Sequence, residues 1–203
     1  MDRDGWDKRY AAEPRVFSSA PNPIVEESLA DLAPGRALDL AAGEGRHALW
    51  LARRGWHVTA VDFSPVGIEK GRAEAARQKL AIDWVVADAY EYAFPLRSLD
   101  LVLIAHFHPR PRDRERLFAA AAEALVPGGH LLVLGRHVDD IGRDGGRGPR
   151  NPDLRYRPDE LAAALPAPLQ LIRCEAVRRS VGDGSGGSVE LTDVVAFARR
   201  PSG

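Results

Sequence analysis

From residue 36 onward, short apolar runs alternate with longer stretches of helical period. Residues 36–41 read as a buried strand and 45–54 as a helix, ended by Gly55 with Arg53 and Arg54 in its last turn. Residues 56–61 predict a second strand, Ser64-Pro65 opens a helix to about Lys79, and 82–87 predict a third strand. Residues 99–105 are a strongly apolar fourth strand. Residues 113–126 put Leu117, Ala121, Ala124 and Leu125 on one helical face, Pro127-Gly128-Gly129 stops that helix, and 130–135 form a fifth strand. Strands interleaved with helices at this spacing predict an α/β, doubly wound, mostly parallel sheet covered on both faces.

The ends of the chain depart from that rhythm. Residues 1–21 read as polar and irregular, with Trp6, Tyr10 and Phe17 as their large apolar groups. Asn22-Pro23 has the form of an N-cap followed by proline, so a helix is expected from there to about Ala33, stopped by Pro34-Gly35. After a short helix near 158–165, residues 169–178 and 190–199 read as two strands with only the Gly/Ser-rich stretch 180–188 between them. That is a hairpin signature, which places an antiparallel strand in or beside the sheet. The segments 106–112 and 136–157 stay irregular and follow strand ends, where open α/β sheets bind ligands.

Composition narrows the choice. With 203 residues the chain fits one domain, and a formal charge of −1 is not that of an electrostatic nucleic-acid binder. Cys174 is the sole cysteine, which excludes an internal disulfide and a cysteine-based zinc site; it is expected to act as a small buried hydrophobe. The N-terminus shows no apolar leader and no run approaches the ~20 residues of a membrane span, so a soluble, cytoplasmic protein without membrane contact is expected.

The chemistry gathers at two strand ends. Asp39 closes the first strand, Ala41-Ala42-Gly43-Glu44-Gly45 turns into a helix, and Asp62 closes the second strand. Gly43-x-Gly45-x-x-Ala48, with Asp62 nineteen positions after Gly43, formally matches a dinucleotide fingerprint. Asp39 and Glu44 argue against a diphosphate there and for a ligand with a cationic amine at one end and a ribose at the other.

Asp39-x-Ala41-x-Gly43-x-Gly45 resembles the acidic-x-G-x-G-x-G motif of class I S-adenosylmethionine-dependent methyltransferases. The resemblance continues through Asp62, Ala87-Asp88-Ala89 and Leu125-Val126-Pro127-Gly128-Gly129, in order over residues 36–135. It implies a Rossmann-like seven-stranded sheet with S-adenosylmethionine as cofactor. Asp62 (followed by Phe63) would hold the ribose hydroxyls, and Asp88 and Ala89 would read the adenine edge. Trp6-Asp7-Lys8-Arg9-Tyr10 and Pro21-Asn22-Pro23 resemble the start of small tellurite-resistance and thiopurine-methyltransferase types. In such relatives an N-terminal segment covers the cofactor. By that likeness Trp6, Arg9 and Tyr10 of residues 1–21 form a lid on the domain 22–203, with Arg9 near the methionine carboxylate. An aromatic anchor pinning the terminus to the sheet is the other reading. Ala41 replaces the first motif glycine and is expected to need φ < 0.

The fourth strand's exit reads Ala105-His106-Phe107-His108-Pro109, without the tetrapeptide of amino-methylating relatives. His106 and His108 are candidate general bases for a small-molecule acceptor, with histidines hydrogen-bonded to the loop or the cofactor as the other reading. His137 is a further pocket candidate, and the three histidines have no metal-ligand spacing, so no metal is expected. Residues 109–116 are expected to be a solvated face; Arg147 and Arg150 are expected to be solvent-exposed loop arginines, and a loop over the pocket that favours an anionic acceptor is the other reading. An NAD(P)-dependent oxidoreductase and a non-catalytic S-adenosylmethionine-binding module are the competing readings.

Overall fold

In the computed structural model, which describes residues 1–143, 145–182 and 187–202, the alternation becomes one seven-stranded sheet. Its strands are β1 (Arg36–Leu40), β2 (His57–Asp62), β3 (Ile82–Val86), β4 (Leu99–Ala105), β5 (Leu125–Arg136), β6 (Gln170–Gly182) and β7 (Ser188–Arg199). The order is β3-β2-β1-β4-β5-β7-β6, parallel except for β7, which runs antiparallel to both neighbours. The helices are α1 (Arg3–Ala12), α2 (Pro23–Ser28), α3 (Arg46–Arg53), α4 (Pro65–Arg77), α5 (Pro111–Ala124) and α6 (Pro158–Ala163).

Strand parity assigns the two faces. Ala37, Ala60, Leu101, Leu103, Leu132, Leu134, Val195 and Phe197 pack under α2 and α3, whereas Leu38, Leu40, Val102, Ile104, Leu131, Val133 and Val194 pack under α5 and α6. The central strands are apolar on both sides because helices cover both sides.

Several boundaries differ from the sequence reading. Residues 3–12 are helical: Asp2 caps α1 by accepting from the Gly5 N–H (3.0 Å), and α4 supplies the packing. No apolar period marks α1, because its stability comes from what it lies on. The helix begun at Pro23 ends at Ser28 instead of near Ala33. β5 starts at Leu125, which pairs with Leu99 before a register shift, so the Pro127-Gly128-Gly129 turn interrupts the strand and does not precede it. The hairpin is longer than expected, and its Gly-rich tip, 183–186, lies outside the described residues. No helix among the described residues is long and apolar enough to cross a membrane.

Two packing details fix the β1–α3 turn. Asp39, 1% exposed, accepts from the Ala48 N–H in the first turn of α3 (3.0 Å), so a buried carboxyl caps that helix. Gly45 stands at φ +74 with the Trp84 ring pressed against it, and Gly71 of α4 meets the same ring.

Gly45→Ala therefore combines left-handed strain with a steric clash, while Gly142→Ala (φ +80, open space around it) has the strain alone. The expected loss is about 3 kcal/mol for the first and about 1 kcal/mol for the second by urea unfolding; equal losses would contradict the packing. Burial pushes the Asp39 carboxyl up to about 7, against the pull of the Ala48 N–H and Arg46. The folded protein thus binds a proton between about pH 4 and 7 that the unfolded chain has released, and stability falls across that window as pH rises. Asp39→Asn stays neutral, and its Oδ1 can still accept from Ala48. It should exceed the wild type at pH 8 by about 2 kcal/mol and lose most of that advantage at pH 4. A pH-independent difference would contradict the cause assigned here.

Candidate functional site

The strand order reverses between β1 and β4, so the connections after these two strands leave on opposite faces and open a crevice beyond their C-terminal ends. The β1–α3 turn lines it. Ala41, Gly43 and Gly45 all have positive φ, at 59, 58 and 74°. Ala41 contradicts the expected φ < 0: it adopts the glycine-like conformation of the motif despite its methyl, at a cost of about 1 kcal/mol. The Ala42 N–H donates to the Val61 carbonyl (2.9 Å), tying the turn to β2.

Asp62 completes that tie. Its Oδ2 accepts from the Gly43 N–H (2.8 Å) and its Oδ1 from the Ser64 N–H (2.9 Å), so one buried carboxylate joins the turns after β1 and β2. Burial raises its pKa, and the N–H donors of Ser64, Gly43 and Phe63 oppose the rise. Phe63 and Asp88 are half-buried on the same edge. Asp88 Oδ1 accepts from the Tyr90 N–H (2.9 Å), and Ala89 packs into the core.

The N-terminal segment roofs this edge. Tyr10 is buried between Gly43 and Gly67, where a methyl on either glycine would meet its hydroxyl or ring. Trp6 stacks on Tyr10 (5.4 Å) and contacts Phe17 (6.2 Å); the exposed Arg9 guanidinium lies 5.1 Å from the Trp6 ring centre. Asp7 accepts from the Ser64 hydroxyl. Lys70 Nζ donates to the Tyr10 and Glu13 carbonyls (2.8 and 2.6 Å) and pairs with Glu44 at 2.7 Å. Glu44 Oε2 in turn accepts from the Val16 and Phe17 N–H groups (3.0 and 3.3 Å). Glu44 was expected to face an ammonium group; its oxygens are instead committed to residues 16 and 17 and to Lys70. Asp39 likewise spends an oxygen on capping α3.

On the other side of the crevice Asn22 organises the histidines. Its Oδ1 accepts from the Ile24 N–H (3.0 Å), which makes Nδ2 the donor to His106 Nε2 (3.0 Å). Its own N–H donates to His47 Nε2 (3.2 Å). His106, at φ 60, therefore turns its Nδ1 away from Asn22. Burial, then Arg46 and Arg136, holds its pKa well below the usual range. His108 is a correction. Its Nε2 accepts from the Arg136 N–H (3.0 Å), its ring stacks on Tyr156 (5.7 Å), and burial pushes its pKa down to about 3. It braces β4 against β5 and has no lone pair to offer a substrate. His137 caps a 3₁₀ turn at 138–140 through its Nδ1.

Beside His106, the fully buried Asp193 accepts from Arg136 Nη1 (2.9 Å), Arg179 Nε (2.6 Å) and Asn22 Nδ2 (3.4 Å). Arg136 and Asp193 are direct cross-strand partners on β5 and β7. This cluster was missed, although a charge on the inward parity of the apolar run 191–198 marks Asp193. The run 109–116 is not wholly solvated either: Arg114 is buried over the Tyr156 ring (4.8 Å) and donates to the Asp153 carbonyl (2.9 Å). Arg147 donates to the Gly182 carbonyl. Arg150 is exposed and lines a separate cavity of about 270 Å³ with Ile141 and Arg155. Cys174 is half-buried, its thiol donating to the Pro158 carbonyl (3.1 Å).

Residues 37–129 match a family model described as a methyltransferase domain. A demethylmenaquinone methyltransferase of Thermus thermophilus is 38% identical over 104 residues, which is 50% of this chain and 47% of that protein. The chain spans about half the length of the curated relatives it matches. Among solved structures, one from work on the conversion of a disulfide bond into a thioacetal group during echinomycin biosynthesis superposes with a TM-score of 0.80. It is 22% identical, covering 98% of this chain and 92% of that one. TehB of Haemophilus influenzae superposes with a TM-score of 0.74 at 18% identity, over 98% of this chain and 66% of that one. At these identities the superpositions speak for the fold, and the matched segment contains the β1 turn, Asp62 and Asp88. Residues 37–129 are thus similar to a methyltransferase domain, and the chain as a whole shares the fold of these solved structures.

Proposed function

We propose that this protein transfers the methyl group of S-adenosylmethionine to a small-molecule acceptor. The observation that carries the reading is the Asp62 carboxylate at the end of β2, joined to the glycine turn after β1 at the sheet's switch point. Both Asp62 oxygens accept backbone N–H groups, and the carboxylate keeps a lone pair for a vicinal diol. Asp88 keeps one oxygen for an exocyclic amine, and the half-buried Phe63 offers apolar surface on the same edge. Asp39 has an elevated pKa that a cationic ligand nearby would draw down, so it serves a sulfonium or ammonium group as a carboxylate formed on binding. The residues present fit the cofactor.

When bound, the cofactor supplies a methyl group already activated by its sulfonium. The chain's task is alignment and the exclusion of water, and orientation of this kind contributes on the order of 7–11 kcal/mol. Trp6, Arg9 and Tyr10 act as a roof, held down by Lys70 and Glu44. His106 faces the acceptor side with Nδ1. With Nε2 engaged by Asn22 it acts as a neutral donor that orients the acceptor, and the proton of an oxygen or nitrogen nucleophile leaves to solvent.

Calorimetry with S-adenosylhomocysteine and with NADH tests the reading. Wild type should bind the first and not the second. Asp62→Asn, which retains one acceptor oxygen to hold the turn, should weaken S-adenosylhomocysteine by about a hundredfold, the loss of two charge-assisted hydrogen bonds. Undiminished affinity in that variant, or NADH binding in the wild type, would overturn the assignment.

A further inference from the structure

Asn22 does more than a helix cap requires. Its Oδ1 accepts from the Ile24 N–H (3.0 Å) at the start of α2, a task that aspartate or serine would perform as well. What capping leaves over is the Nδ2 amide, and both of its hydrogens find acceptors. One goes to His106 Nε2 (3.0 Å) and the other to Asp193 Oδ2 (3.4 Å). Among the three residues, asparagine alone combines an accepting oxygen with a donating nitrogen pair.

The amide orientation is fixed twice over. Turned round, it would set Oδ1 against the Asp193 carboxylate and Nδ2 against the Ile24 N–H. Asp193 is fully buried and is itself held by Arg136 Nη1 (2.9 Å) and Arg179 Nε (2.6 Å). The backbone of residue 22 is pinned as well, because its N–H donates to the buried His47 Nε2 on α3 (3.2 Å). Asn22 is 2% exposed, so water does not compete for these bonds. With Nε2 accepting, the proton of the neutral His106 ring resides on Nδ1.

The backbone also sets this ring. A φ of 60 is uncommon outside glycine, and the His106 N–H is held by the Leu134 carbonyl (2.6 Å). Backbone outliers of this kind gather at working sites. The ring is half-buried, at the exit of β4 beside the crevice. Its Nδ1 has no partner among the described residues and is not among the sealed, unpartnered atoms.

We propose that Asn22 is a positioning residue that holds the proton of His106 on Nδ1, so that the methyl acceptor meets this ring with a lone pair and not with an O–H or N–H. The first half stands on the contacts of Asn22; the second rests on the methyltransferase reading and names a substrate class for it. Acceptors of that class carry a carbonyl, or a nucleophile already deprotonated, within reach of the ring.

Long-range proton–nitrogen NMR spectra of histidine-labelled protein at pH 7 show which ring nitrogen of His106 carries the proton, with His106→Gln giving the assignment. Wild type should be the Nδ1–H form. Asn22→Ser and Asn22→Asp both keep a cap on α2, and thermal melts check their folding. The Nε2–H form should appear in the first and dominate in the second, whose carboxylate accepts that proton's hydrogen bond. A wild-type ring protonated on Nε2, or an Asn22→Ser ring still wholly Nδ1–H, overturns the positioning role. Pyridine N-oxide, a neutral ring with only an accepting oxygen, and pyrrole, with only a donating N–H, then probe the protein saturated with S-adenosylhomocysteine. Pyridine N-oxide should shift the His106 Nδ1 resonance further than pyrrole in wild type, and the order should reverse in Asn22→Asp. Equal shifts in wild type, or no shift with either probe, overturn the acceptor class. Affinity for S-adenosylhomocysteine should change less than threefold in Asn22→Ser; a tenfold loss would give Asn22 to the cofactor and overturn its assignment to the acceptor. If wild type binds no S-adenosylhomocysteine, the cofactor reading falls, and the spectra recorded without ligand still decide the role of Asn22.

Discussion

One buried carboxylate joins the two strand ends on which everything else at the crevice depends. Asp62 holds the Gly43 N–H from one side and the Ser64 N–H from the other, so the turn after β1 and the start of α4 share an anchor. Such a group is expensive to bury unless its acceptors are filled, and backbone donors fill them here. The arrangement sets the floor of the crevice. The remaining lone pair is available to a ligand because the carboxylate is already held in place, which is the form of preorganisation that favours tight binding.

The roof is built from the same turn. Glu44, one residue beyond Gly43, binds Lys70 and the backbone of residues 16 and 17, while Tyr10 fills the space that Gly43 and Gly67 leave by lacking side chains. The glycines thus serve two ends. Gly43 makes room for Tyr10, and Gly45 makes room for Trp84. Floor and roof are mechanically coupled through Glu44 and Lys70, so loosening α1 would be felt at the β1 turn.

The fold was legible from residue 36 onward because buried parallel strands and amphipathic helices write their periods plainly: β4 was located to the residue as Leu99–Ala105. The helix over residues 3–12 was not, because its polar sequence carries no period and its stability comes from α4 beneath it. The position of Asp62 at the end of β2 was legible from its spacing. Glu44 was read from charge alone, and a charge says nothing of the partner that meets it; Lys70, twenty-six residues later, cancels the argument against a diphosphate. His108 takes the structural one of its two readings, since imidazole at a strand exit serves equally well as a brace. The Arg136–Asp193–Arg179 cluster joins β5 to the β6–β7 hairpin, with 57 positions between Arg136 and Asp193, and only the register of β5, β7 and β6 brings it together.

A crystal structure with S-adenosylhomocysteine bound tests the central claim most directly. The account requires the ribose hydroxyls on the Asp62 oxygens, the adenine amine at Asp88, and the Gly43 N–H still donating to Asp62. Density for the nucleoside elsewhere, or an Asp62 side chain turned away from both the ribose and Gly43, would contradict it.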